Sequence, residues 1–481
     1  MKRKNFGHNQ ELTPSAAYTP VKEKEVLEIL EQHHGDRIRA IGRLHSWSEA
    51  AVTDSVLLDL RRLDSVELQK EGDQLVATVG AGCQVKRVLK ELGRQGATLP
   101  SLGLITEQTI AGAISTGTHG SGRHSMSHYV VAVRIARYDA SSGKPMIEEI
   151  TDGEQLQAAR CSLGSLGIIL SVKIRCRPAY NVEEHFREYL ALSDILAAES
   201  SFPIQQFYLI PWRWSYFSQQ RREDDRPRSR LAGLYRLYWL LVMDFGMHLL
   251  ILAMTRVFRS RRLTRFALRR VVPLFLIRNW KVIDDSSAML VMKHEAFRHI
   301  EIELFVRRDQ LADTISFSQD VIKLAGGSTS SLSSDNQRQI EQIGMQESLT
   351  SLQNQYFHHY PICVRRILSD DTLISMASGE EEEWYSVSFI SYAQPKDRGG
   401  FSQFASFMAR SMSQLFGARP HWGKVCPLEV SELTSLYPRF GSFRRHCNSL
   451  DPAGAFRNNW TAALLELDKD PGAGKGSGPL P

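Results

Sequence analysis

Apolar residues recur at helical spacing in two early stretches, with short runs and alternations between them that read as strands. VKEKEVLEILEQHH opens at Thr19-Pro20, a helix cap followed by proline at the first helical position, and carries one stripe through Val26, Leu27 and Leu30. IRAI, residues 38–41, reads as a short strand running into a turn at Gly42 and His45-Ser46-Trp47-Ser48. SVLLDL and DQLVATVGAG read as two further strands, the second ending in glycines. In QVKRVLKELGRQG, residues Val85, Val88, Leu89 and Leu92 have the i, i+3, i+4, i+7 spacing of a buried helix face. HYVVAVRIARYDA alternates as a strand, and ARCSLGSLGIILSVKIRCRPAY holds two more elements entered through Gly164 and Gly167. Much later, RHIEIELFV alternates with period two, which sends His299, Glu301 and Glu303 to one face. Helices and strands mixed in this way predict an α+β or α/β protein that holds a ligand between loops.

The chemistry starts in the stretch Thr98–His124, TLPSLGLITEQTIAGAISTGTHGSGRH. Glycines and small hydroxyl residues leave many bare amides and few side chains to bury, and consecutive N–H groups make concave anion sites. A diphosphate suits such a loop. A glycine-rich surface loop without chemistry is the competing reading. No G-x-G-x-x-G occurs in the N-terminal part, so a nicotinamide dinucleotide is not favoured.

Composition narrows the class. The 481 residues, 42% hydrophobic with net charge +6, are enough for two or three domains. Basic residues are spread along the chain without zinc-finger spacing or a dominant basic tail, so neither nucleic acid nor metal is expected. Six cysteines lie far apart, at 83, 161, 176, 363, 426 and 447, a pattern of free thiols in a reducing compartment. Residues 1–18 lack a secretory apolar core and read as a polar arm, which predicts a cytoplasmic location. The Gly- and Pro-rich residues 467–481 read as a disordered tail.

One segment departs from this picture. LAGLYRLYWLLVMDFGMHLLILAMTRVF is long enough to span a bilayer, and RSRRLTRFALRRVVPLFLIRNWK follows it with arginines among apolar residues. Asp244 and His248 sit mid-run, and Asp near a bilayer centre costs about 2.5 to 3.5 kcal/mol. Spanning is therefore disfavoured. Two placements stay open: a helix lying on the membrane surface, or an insertion packed over the substrate pocket.

GRLHSWS, VGAGCQVKRVLKEL, LPSLGLITEQTIAGAISTGTHGSG and SLGSLGIILSVKI, in this order, closely resemble the PCMH-type FAD-binding domain of the vanillyl-alcohol-oxidase superfamily. ARPHWGKV and LDPAGAFRNNW resemble the closing motifs of its aldonolactone oxidase branch, which includes L-gulonolactone, D-arabinono-1,4-lactone and alditol oxidases. The resemblance implies a two-subdomain FAD-binding domain over 19–180 and an α+β substrate (cap) domain on an antiparallel sheet over 181–420, with a helical insertion at 225–282. It also implies a segment 421–466 returning to the flavin.

The same resemblance implies site residues. His45 matches the histidine bonded covalently to FAD in many relatives, within Gly42, Arg43, Leu44, His45 and Ser46. Gly103, Thr109, Gly112, Ser115, Thr116, Gly117, Thr118, His119, Gly120 and Ser121 match the loop along the cofactor. Gly164, Gly167 and Ile168 match the segment over its adenine half, and His421 and Lys424 match the lysine motif near flavin and substrate. Arg365 matches the arginine of a Glu-x-Arg pair whose glutamate is here Cys363, which leaves Arg365 without its family ion partner. Glu301 or Glu303 is the expected replacement, with a solvated sheet face as the competing reading of that strand, and Ser388 and Ser391 are expected nearby. The implied reaction oxidises a CH–OH group of a sugar-1,4-lactone or polyol by hydride transfer to flavin N5, with the electrons passing to O2 or a quinone. Two alternatives remain: an oxidase of a lipid-linked sugar at the membrane surface, and a flavoprotein without turnover.

Overall fold

The computed structural model describes residues 2–292, 296–328, 332–379 and 383–465. The proposed tail at 467–481 lies outside these.

Strands Ala16–Tyr18, Ile38–Ile41 and Val56–Asp59 form a small parallel sheet with Val56–Asp59 in the middle. Its strands are nearly continuous apolar runs, as parallel strands covered on both faces require. Helix Glu23–Gln32 buries Val26, Ile29 and Leu30, the expected stripe shifted by one position. A second, antiparallel sheet runs in the order Pro145–Ile150, Val130–Tyr138, Ile168–Pro178, Gln74–Gly80, Val66–Glu71. Helix Val85–Gly93 packs its four apolar positions into the same core. The polar arm is part of this assembly: Arg3–Lys4 pairs with Glu11–Leu12, and Phe6 N–H donates to the Leu44 carbonyl at 2.8 Å.

Among the described residues the second half builds an eight-stranded antiparallel sheet. Toward one edge Ile362–Leu368, Glu383–Ser391 and Ile300–Arg307 lie side by side. Residues facing one another across these strands form rungs: Gln206, Arg365, Ser386 and Phe305 in one, Tyr208, Cys363, Ser388 and Glu303 in the next, and Ile390 with Glu301 in a third. Pleat alternation turns the side chains of these rungs to the same face. That face closes over the flavin-type half.

The apolar segment forms one helix over Ala232–Val257, with wide turns within it, and doubles back through a second helical run at 261–275. By length and apolarity the first helix suffices to cross a membrane. It is instead held against the cap sheet. Tyr235 Oη donates to Glu184 at 2.6 Å, Arg236 pairs with Asp284 at 2.7 Å, and the Arg256 guanidinium donates to the Tyr392 carbonyl at 3.1 Å. Asp244 and His248 face inward: His248 Nδ1 is 3.3 Å from the Asp244 carboxylate and its Nε2 is 3.2 Å from Tyr360 Oη.

Candidate active site

The cap sheet, the loop after Ile38–Ile41 and the glycine-rich stretch enclose one long cleft, with about 1900 Å³ of free space including its mouth. One end is a narrow groove walled by Gly42, Arg43, Leu44, His45, Ser46, Gly103, Thr109, Gly112, Ser115, Thr116, Thr118, Gly164 and Gly167. Backbone approaches so closely here that side chains would fill it. A Cβ on Gly42 would lie 2.1 Å from Thr109 Oγ1, and one on Gly103 would lie 2.5 Å from Thr118 Cγ2. Thr109 caps helix Ile110–Ser115 by accepting the Gly112 N–H, which fixes the groove floor. A long, slender ligand carrying a diphosphate fits this lining of amides and small hydroxyls.

Four residues expected along the cofactor do not face the groove. Gly117, at φ +73°, turns toward Met376 and Cys161. Gly120 and Ser121 line a separate small cavity behind Arg365, where the Ser121 hydroxyl donates to the Gln205 carbonyl. Ile168 is buried in its strand, and alternation makes Ile169 the groove residue.

His45 sits where groove and cap meet, its ring stacked on Phe6 at 4.9 Å. Here the wide end of the cleft begins, walled by Glu301, Glu303, Cys363, Arg365, Ser388, His421 and Lys424. Placement of the lysine follows from backbone bonds. The N–H groups of His421 and Val425 donate to the carbonyls of Glu303 and Glu301 at 2.9 and 3.1 Å, laying the HWGK turn along that strand. Trp422 anchors the turn, fully buried, with its Nε1–H donating to the Ile374 carbonyl at 2.6 Å.

Glu301 pairs with Lys424 and accepts from the Ser388 hydroxyl, and His299 Nε2 lies 3.7 Å away. Lys424 Nζ also lies over the Trp47 ring, 4.4 Å from its centre. Burial, the largest influence, opposes ionisation of Glu301, but the Lys424 ammonium and the His299 hydrogen bond together outweigh it and bring the carboxyl down to about 2. Glu303 stands 3.3 Å from His119 Nε2 and 3.9 Å from Arg365 Nη1. Against the penalty of burial, the neighbouring His119 and then the Lys424 ammonium hold it well below the usual carboxylate range. Of the two strand carboxylates Glu303 is the one that pairs with Arg365, at the outer limit of such contacts. Ser388 joins the site, whereas Ser391 Oγ accepts from the Ala393 N–H outside the cleft.

His119, Glu303 and His421 bring three ligand-type atoms within 4.8 Å of one another. Gly423 N–H donates to His421 Nδ1 at 2.9 Å, so neutral His421 carries its proton on Nε2 and has no lone pair free for a metal ion. Burial drives its pKa down to about 3, which keeps it neutral.

Several wall residues carry no recognisable motif, Phe6, Tyr360, Tyr392, His248 and Phe297, and neither does Gln206, which stands behind Arg365. Gln206 Oε1 accepts from Arg365 Nε at 3.1 Å and sets the guanidinium. Tyr360, Tyr392, Ile390, Met292 and Phe297 give much of the remaining wide end an apolar and aromatic lining, with His248 and His299 beside them. His248, stacked on Phe297 at 4.5 Å, carries the helical insertion into this wall. Its polarity inside an apolar run was the one signal available in the sequence.

Comparison with known proteins agrees with this layout. Residues 14–141 match the FAD binding domain family, and residues 218–464 match the D-arabinono-1,4-lactone oxidase family. A long-chain alcohol oxidase from an uncultured marine euryarchaeote is 73% identical over 466 residues, covering 97% of each chain. An L-gulono-1,4-lactone dehydrogenase from Mycobacterium tuberculosis is 24% identical over 96% of this chain and 98% of its own. A crystal structure of cholesterol oxidase from B. sterolicum superimposes with a TM-score of 0.70 at 14% identity, covering 97% of this chain and 96% of that one, and shares the fold. With both halves matched and the groove shaped for the cofactor, the chain is an FAD-dependent oxidase that belongs to the D-arabinono-1,4-lactone oxidase family of the PCMH-type flavoproteins.

Proposed function

We propose that the chain oxidises the terminal CH–OH group of a long-chain alcohol. The observation that carries this reading is the division of the wide end of the cleft. One compact ionic patch, Lys424, Glu301, Arg365 and Glu303, faces walls made of Phe297, Met292, Ile390, Tyr360 and Tyr392. A substrate with a single hydroxyl on an apolar tail matches that division, whereas a polyol would bury several hydroxyls against few partners. Cys363 in place of the family glutamate removes a further acceptor. The long-chain alcohol oxidase at 73% identity supports the same substrate class.

FAD supplies the two-electron acceptor that takes the hydride. The residues of the chain place the alcohol and balance its charge. Lys424 and Arg365 set positive charge where the alkoxide develops, and their carboxylate partners fix both side chains. Glu303 Oε1 is buried with only loose contacts, to His119 Nε2 at 3.3 Å and Arg365 Nη1 at 3.9 Å, so the substrate hydroxyl can donate to it. His45 is the point of covalent attachment of FAD in this reading.

A lactone substrate is the second reading, favoured by the family match over residues 218–464 and by the HWGK turn. Anaerobic mixing of the purified yellow protein with 1-dodecanol and with D-arabinono-1,4-lactone separates the two. Faster loss of the oxidised flavin band with dodecanol is expected. Faster bleaching with the lactone makes the lactone the substrate class, and no bleaching with either leaves a flavoprotein without this turnover. The same preparation, precipitated in acid, is expected to keep its colour in the pellet; a colourless pellet removes the His45 bond.

A further inference from the structure

Among the described residues, twelve of the fourteen large apolar side chains exposed to solvent lie between Leu231 and Ile277, on the helix Ala232–Val257 and its return run. The two runs form a hairpin: Tyr238 Oη donates to the Phe275 carbonyl, and the Ile277 N–H donates to Tyr238 Oη at 3.1 Å. Its outer side shows Leu237, Leu241, Leu249, Phe266 and Leu274, each at least half exposed. Water is a poor neighbour for so much clustered apolar surface, and patches of this kind mark docking faces.

Charge selects the occupant. Between residues 230 and 278 there are ten arginines and one acidic residue, Asp244, which faces inward. Two copies of such a face would repel each other across a shared interface. An anionic lipid surface complements both features, receiving apolar side chains among its acyl chains and arginines at its headgroups. At the turn of the hairpin an open cavity with about 820 Å³ of free space has Arg256, Arg259 and Arg261 against one acidic wall residue, Asp397, a balance that suits a phosphate headgroup.

The inner side of the same helix reaches the catalytic cleft. His248 lines it while the next residue, Leu249, is 56% exposed on the outside. One helix diameter, about 10 Å, thus separates the outer surface from the substrate. We propose that this hairpin docks on an anionic phospholipid bilayer and that the alcohol passes from the bilayer into the cleft beside His248 and Phe297. The docking stands on the hairpin alone; the passage of substrate rests on the long-chain alcohol reading above.

The test is sedimentation of the full-length holoprotein with vesicles of phosphatidylglycerol and phosphatidylcholine, and with vesicles of phosphatidylcholine alone, without substrate. The wild type is expected to pellet with the anionic vesicles and much less with the neutral ones. The variant Arg262→Gln/Arg269→Gln/Arg270→Gln is expected to weaken partitioning roughly a hundredfold, from about 1 kcal/mol per arginine at the surface. Leu237→Glu/Leu241→Glu/Leu249→Glu is expected to stay in the supernatant while keeping bound FAD and turnover of soluble 1-hexanol, and to lose turnover of 1-dodecanol presented in vesicles. Should that variant not fold, the arginine variant carries the test.

Wild type that remains in the supernatant with anionic vesicles overturns the docking, as do variants that pellet like wild type. A wild-type dimer in vesicle-free buffer that both triple variants dissociate assigns the face to a second copy instead. If vesicles bind but neither alcohol bleaches the flavin, the substrate reading fails and the docking stands.

Discussion

Replacing Lys424 with methionine is expected to lower kcat for alcohol oxidation by roughly 10²- to 10³-fold while FAD stays bound, the scale seen when one preorganised group at a developing oxyanion is removed. Methionine keeps most of the stem that lies against Trp47 and deletes only the ammonium. The same change leaves the buried Glu301 carboxylate without its principal partner, which costs about 3 to 5 kcal/mol of stability. The two losses come apart in the double variant Lys424→Met/Glu301→Gln. A neutral amide at 301 no longer demands a counter-charge, so the melting temperature is expected to recover toward wild type while kcat does not. Stopped-flow flavin reduction and thermal melts on the three proteins check this. Recovery of kcat in the double variant would make Lys424 a purely structural partner of Glu301.

Acid is expected to destabilise the fold strongly below pH 6.5. Four buried or half-buried histidines are held neutral chiefly by burial: His421 and His358 are pushed down to about 3, His359 and His128 to about 4. In the unfolded chain they titrate near the ordinary value of about 6.5. Between pH 6.5 and 4 the unfolded state therefore binds more protons than the folded state, and stability rises with pH across that window and falls as pH drops through it. Each histidine adds a slope of at most about 1.4 kcal/mol per pH unit. Glu301 pulls the same way lower down: its folded value of about 2 lies below its unfolded one, so its contribution is lost as pH falls from 4.5. Urea midpoints at pH 7 and pH 5 measure the effect. A clearly lower midpoint at pH 5 is expected; equal midpoints would mean that these histidines take up protons in the folded state.

Local patterns carried the fold well wherever one periodicity set the burial. The alternation in RHIEIELFV placed Glu301 and Glu303 on one face, and the structure makes that face the cleft wall rather than a solvated one. Gly42 and Thr109 came from the family resemblance, and the structure packs them so closely that a glycine and a small hydroxyl have few substitutes there. What stayed hidden depends on contacts between distant strands. Glu303 meets Arg365 only because Glu383–Ser391 lies between their strands, a pairing that no local pattern encodes. Gln206 and Phe6 were hidden for the same reason, each brought in from a segment without a motif. Ile168 and Ile169 show the limit of motif matching, since a shift of one residue in a strand exchanges the buried and groove-facing sides. The helical insertion was visible as an oddity; of its two open placements the structure shows the packed one, with the inner side lining the pocket, while the outer side is apolar and basic.

The most direct measurement is single-turnover reduction of the bound FAD, without oxygen, by 1-dodecanol and by the same alcohol carrying deuterium on its hydroxyl-bearing carbon. Oxidation at the Lys424 and Arg365 wall predicts that the yellow band bleaches with both and distinctly more slowly with the deuterated alcohol, because the bond to that hydrogen breaks as the electrons leave. A band that persists, or one that fades at the same rate with both alcohols, would contradict the account.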